Sequence, residues 1–158
     1  MRGERANVFI LSGVFALTFV LLYGGASVLS AYVPWRVPMM LPLDGQLPLV
    51  PGAAIVYLTI GPMLLLAPFM LRDLEAILPL FAALMLETAV AALCFMLLPV
   101  DPPAIDCCEP GLVGGLFQVA DVLNLERNDM PSLHVAFAFT LAAAFSARRR
   151  SRRSRETR

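Results

Sequence analysis

Lysine is absent from this 158-residue chain, histidine occurs once, and charged residues of either sign make up only 15% of it. A soluble domain carries roughly 25% charged residues and 45–50% apolar ones. At 59% apolar, with a mean hydropathy of +0.76, the chain falls outside that class and reads as a membrane protein. Cysteine is equally uninformative as a scaffold. Cys94 sits inside an apolar run, and the adjacent Cys107 and Cys108 could pair with each other only under strain. None has metal-ligand spacing, and His134 has no companion ligand, so no metal and no organic cofactor is expected. No internal repeat is visible, and no nucleic-acid partner is expected.

Four apolar runs are present instead. They span 8–33, 53–71, 76–98 and 131–147, and they predict an all-α, polytopic bundle of four transmembrane helices. The first run is too long for the apolar core of a cleaved signal peptide. The second contains Pro62 and Pro68, which predict a kinked span, because a proline removes a backbone donor. The third carries one charge, Glu87; the fourth is the shortest and stops at Arg148. Residues 1–7 form an N-terminal stub, 8–147 the membrane domain and 148–158 a basic tail, which the composition predicts to be too polar to fold.

The formal net charge of zero conceals a strong asymmetry. Ten of the twelve arginines lie in the stub (Arg2, Arg5), at Arg72 and in the tail. With an even number of spans these segments share one side, and the basic-residue rule makes that side the cytoplasm of a cell-membrane protein. The two opposite loops hold Asp44, Asp101, Asp106, Glu109, Asp121, Glu126 and Asp129, which give the outer face a negative field. The tail is expected to meet anionic lipid headgroups, at roughly 1 kcal/mol per basic residue near the surface. Five prolines make 34–52 a stiff, extended connection. In 101–130, Leu112, Leu116, Val119 and Leu123 recur at helical spacing, which fits a short interfacial helix or a loop packed on the bundle.

His134 lies in the segment Asn128-Asp-Met-Pro-Ser-Leu-His-Val-Ala136, at the outer end of the fourth run. A helix start there offers unpaired backbone N–H groups and the positive end of the helix dipole, both favourable to a phosphate. Pro131 suits an early helical position. Ser132 adds a hydroxyl, and an imidazole can give or take a proton near neutral pH. The plainer alternative is that Asn128 or Asp129 caps the helix and His134 is a satisfied interfacial polar residue. Glu87, near mid-membrane, is either a functional carboxylate or a group that is protonated or bonded to a neighbouring hydroxyl inside the bundle.

This segment resembles the Pro-Ser-x-His motif of the type 2 phosphatidic acid phosphatase superfamily. It is closest to the inositolphosphotransferase (inositol phosphorylceramide synthase-like) branch, which commonly reads Asn-x-Phe-Pro-Ser-Leu-His-Val. Asn128, Met130, Pro131, Ser132, Leu133, His134 and Val135 carry that likeness. Leu43-Asp44, Pro48-Leu-Val-Pro51 and Tyr57 resemble a second pattern of the branch, and Pro102-Pro103 a third. The similarity covers about residues 8 to 147 and implies a phosphatase-like site at the extracytoplasmic face acting on lipid phosphates. By resemblance, His134 protonates the leaving oxygen and Ser132 contacts the phosphate.

The family's phosphoryl acceptor is a second histidine, in a Ser-Arg…His…Asp motif, and its first motif contains lysine; neither is present here. Transfer of a phosphoryl group through a covalent intermediate needs both an acid and a nucleophile. Two readings therefore stay open. One is a phosphatase or phosphotransferase whose missing histidine comes from a second polypeptide. The other is a non-catalytic, truncated relative that binds phospholipid phosphate groups or serves as a partner subunit. A channel or transporter is disfavoured by four short spans without inverted repeats.

Overall fold

In lipid every backbone N–H and C=O must find its partner within the chain, so long apolar runs fold as helices. The structure, a computed structural model, describes residues 2–38, 46, 48, 50–101, 111–124 and 130–156. It is mostly helical. The elements are α1 (Arg2–Ala31), β1 (Val37–Pro38), α2 (Ala53–Leu58), α3 (Ile60–Met70), α4 (Leu74–Leu97), β2 (Val100–Asp101), α5 (Leu112–Asn124) and α6 (Leu133–Glu156). Asp44, Asp106, Glu109, Glu126, Asp129, Cys107, Cys108 and Pro102-Pro103 lie outside the described residues.

Three helical stretches are long and apolar enough to cross a membrane: Glu4–Ala31, Ala53–Met70 and Leu74–Leu97. The second is interrupted at Thr59, between α2 and α3, where the backbone keeps helical angles (φ −67°, ψ −22°). Pro62 has no N–H to give the Leu58 carbonyl four residues back, so the ladder is interrupted there. The helix resumes with Met63 N donating to Thr59 O at 3.1 Å, and the Thr59 hydroxyl donates to Val56 O. Pro68 lies inside α3 without ending it.

Two expectations are corrected. Helix α6 starts at Leu133, so Pro131 precedes the helix instead of lying in its first turn. The helix also continues through the arginines to Glu156, where composition predicted an unfolded tail. Extending an existing helix avoids the cost of nucleation, and Ala147–Glu156 contains no glycine or proline to stop it. The apolar part of α6, Leu133 to Ala147, is about 22 Å long at about 1.5 Å per residue.

Helix α1 packs chiefly on α4, and α4 and α3 both pack on α6. The core is a column of aromatic rings. Phe15, Phe19 and Tyr23 recur every four residues on one face of α1. Phe15 stacks on Phe81 of α4 with centroids 4.7 Å apart, Tyr23 meets Phe95 edge-on at 5.9 Å, and Phe19 faces Phe137 of α6 at 5.8 Å. Small side chains at Ala26, Ala91 and Ala92, all buried, allow close helix approach. Large apolar side chains point outward on every long helix, among them Leu21, Leu65, Leu86 and Phe139. So much exposed apolar surface suits lipid and not water.

Two devices join the far ends of α1 and α4. Val37 N donates to Pro99 O at 2.9 Å, and Val37–Pro38 pairs in parallel with Val100–Asp101. Trp35 Nε1 donates to Leu97 O at 3.2 Å. Arg36 turns back to donate to the Val33 and Ala31 carbonyls, satisfying orphan acceptors at the end of α1. The segment between α4 and α6 contains a true helix, α5, which packs on α2 and buries Ala120. Leu112, Val119 and Leu123 of the expected stripe remain largely exposed.

Candidate functional site

His134 is the second residue of α6, and Arg148 follows it on the same helix by about 21 Å at 1.5 Å rise per residue. The imidazole therefore belongs to one end of the bundle and the arginines to the other. Arg5 and Arg72 line one cavity and Arg72, Arg148 and Arg149 the next, so three distant stretches of chain bring their cations to a single end. At that end Arg148 pairs with Asp73 at 3.3 Å.

At the histidine end, Tyr57 of α2 lies flat against His134, with ring centroids 3.6 Å apart and 22° between the planes. The half-buried imidazole opens onto a cavity of about 360 Å³. Its walls include Phe19 and Tyr23 of α1, Ile60 of α3, Val122 of α5 and Phe137 of α6. Among the described residues no arginine lines it, and the polar side chains on its wall are the imidazole and the two tyrosines. Such a chamber suits hydrocarbon chains below and one polar head at the mouth.

Ser132 is not in that chamber. It precedes the first helical residue, Leu133, so its direction is set by the turn into α6 and not by the helix that carries His134. Ser132 instead borders a cavity of about 350 Å³ on the α4 flank, with Leu86, Glu87, Val90 and Ala136. It also occupies the cap position that sequence reasoning assigned to Asn128 or Asp129, both outside the described residues. Ala136 N donates to Ser132 O at 3.2 Å, and Val135 N donates to the Ser132 hydroxyl at 3.5 Å, the long limit of a hydrogen bond.

Glu87 has a neighbouring hydroxyl inside the bundle. Its Oε1 accepts a hydrogen bond from the Thr140 hydroxyl of α6 at 2.5 Å, while Oε2 is buried and has no partner among the described residues. Thr140 was missed from sequence because nothing local marks a threonine 53 positions away as a partner. Tyr57 was noticed only through its place in a motif pattern; its ring contact with His134 is long-range. Cys94 is a free thiol.

No family model matches the chain, and no curated protein and no solved structure matches it either.

Proposed function

We propose that the chain is a four-span membrane protein that holds a lipid phosphate at its extracytoplasmic face, with both termini in the cytoplasm. In this reading His134 meets the phosphate and the apolar chamber receives the acyl chains. The observation that carries it is the pairing of one imidazole, braced by Tyr57, with an otherwise hydrocarbon-like cavity. The likeness to the phosphatidic acid phosphatase type and its inositolphosphotransferase branch supports the same class of ligand. The His134 segment would supply the acid half of a phosphatase or phosphotransferase site, and the phosphoryl acceptor would come from outside these 158 residues. The cavity supports the binding reading, because the described residues on its wall are apolar apart from the imidazole and two tyrosines and carry no guanidinium to neutralise a transferring phosphoryl group. The arginine end, gathered on one side, supports the orientation.

The test is a titration of the purified chain with phosphatidic acid, beside a His134→Ala variant, with free phosphate measured in the same samples. We expect binding to weaken about tenfold in the variant, in keeping with loss of one hydrogen bond to a charged group. We expect no phosphate release from either protein. Phosphate release by the parent that the variant loses would establish the enzymatic reading instead. Equal affinity of both proteins would refute a role for His134 in binding.

A further inference from the structure

At the end opposite His134, α3, α6 and the turn into α4 enclose a cavity of about 460 Å³, lined by Phe69, Met70, Arg72, Phe145, Arg148 and Arg149. Three arginines line this cavity, and the one ion pair they make among the described residues joins Arg148 to Asp73. That ion pair is one contact at 3.3 Å, and its Asp73 side is 66% exposed. A pair of this kind contributes little and yields readily to a better acceptor. Arg148 Nε is buried without a hydrogen-bond partner among the described residues, and the side chain is only 18% exposed. Arg72 is anchored from its Nε to the Phe69 carbonyl at 2.9 Å, which fixes the guanidinium at the rim. Between the cations lie two phenylalanines and a methionine, an apolar wall continuous with the lipid-facing surface of α3 and α6.

Cations at the rim and hydrocarbon on the wall are complementary to an anionic phospholipid. We infer that the cavity between α3 and α6 is a binding site for a lipid phosphodiester, held by Arg72, Arg148 and Arg149 with its chains against Phe69 and Phe145. The phosphate oxygens accept from the guanidinium groups, displacing Asp73 and reaching the unpartnered Nε. The site is distinct from the general attraction of the distal tail arginines, because its three cations are set around one shaped recess. It is also independent of the His134 chamber, on the other face of the bundle.

The experiment uses the full chain carrying His134→Ala, so that the other chamber does not contribute, and native mass spectrometry with added lipid. Phosphatidylglycerol is the ligand, phosphatidylcholine the zwitterionic control and inorganic phosphate the competitor. Arg72→Gln with Arg148→Gln is expected to weaken phosphatidylglycerol binding about tenfold or more, the loss of bidentate charged contacts. Arg152→Gln, Arg153→Gln and Arg155→Gln together are expected to change it less than about twofold, since those residues contribute only diffuse attraction. Asp73→Asn, at the exposed N-cap of α4 where asparagine caps as well as aspartate, is expected to tighten binding about two- to threefold by freeing Arg148. Three outcomes would overturn the inference: a tail variant that loses as much as the Arg72/Arg148 variant, an Asp73→Asn variant that weakens binding, or phosphate competing as well as the lipid.

Discussion

Replacing Phe95 by alanine is expected to destabilise the bundle by about 3 kcal/mol, near the low end of the range for burying and then deleting a phenylalanine. Phe95 is completely buried on α4 and meets Tyr23 of α1 edge-on. In a membrane the unfolded helices already sit in hydrocarbon, so removing the ring forfeits little transfer free energy. What is lost is dispersion contact across a void that the surrounding helices cannot close. Equilibrium unfolding in mixed micelles, followed by helix signal against denaturing detergent, measures the loss directly. Phe95→Leu, which keeps most of the volume, is expected to cost about 1 kcal/mol. Equal costs for the two variants would show that the aromatic column does not organise the core.

Thr140→Val is the second large effect. The substitution keeps the shape of the side chain but removes the donor that Glu87 Oε1 relies on. The other carboxyl oxygen already lacks a partner, so the variant leaves the whole carboxyl group buried between α4 and α6 without a hydrogen bond. A stranded buried polar group costs about 1–3 kcal/mol, and somewhat less where the unfolded state in lipid also finds partners. We therefore expect a loss of about 2 kcal/mol for Thr140→Val. The double variant Glu87→Leu with Thr140→Val removes both members and is expected to recover most of it. Additive losses in that cycle would mean that the two side chains do not depend on each other.

The long helices were legible because lipid leaves the backbone few alternatives: an apolar run of sufficient length must satisfy its own hydrogen bonds. The break at Thr59 could be anticipated for the same kind of reason, since Pro62 names the carbonyl it cannot serve. The fate of the tail was misjudged from polarity alone. Charged side chains oppose burial but not helix formation, and α6 supplies a ready-made turn to extend. The pairing of Val37–Pro38 with Val100–Asp101 had no local signature, because two residues of strand in proline-rich segments carry no periodicity. For α5 the period announced a helix but not its buried face: Ala120 packs while Leu112 and Leu123 stay out.

At the site, His134 stood out as the lone imidazole beside a helix start. Its relation to Ser132 was less visible. A motif written on one line places the two side by side, whereas the turn into α6 directs Ser132 to one cavity and the helix directs His134 to another. The aromatic stripe of Phe15, Phe19 and Tyr23 was written in the sequence at four-residue spacing, yet only its partners on α4 and α6 reveal it as the spine of the core. The convergence of Arg5, Arg72 and Arg148 follows from topology, but the recess they surround depends on packing between α3 and α6 that no local pattern records.

The proposed function requires the imidazole and the arginines to lie on opposite faces of the membrane. Sided labelling decides this in a background where Cys94, Cys107 and Cys108 are replaced by serine, with single reporters Met130→Cys and Arg150→Cys. Met130 is half exposed and precedes His134 by one turn's length of chain, so it reports on the mouth of the chamber. A membrane-impermeant maleimide added to intact cells is expected to modify the Met130→Cys protein and to reach the Arg150→Cys protein only after the membrane is opened. Modification of both reporters from the same side would contradict the four-span arrangement and remove His134 from the extracytoplasmic face.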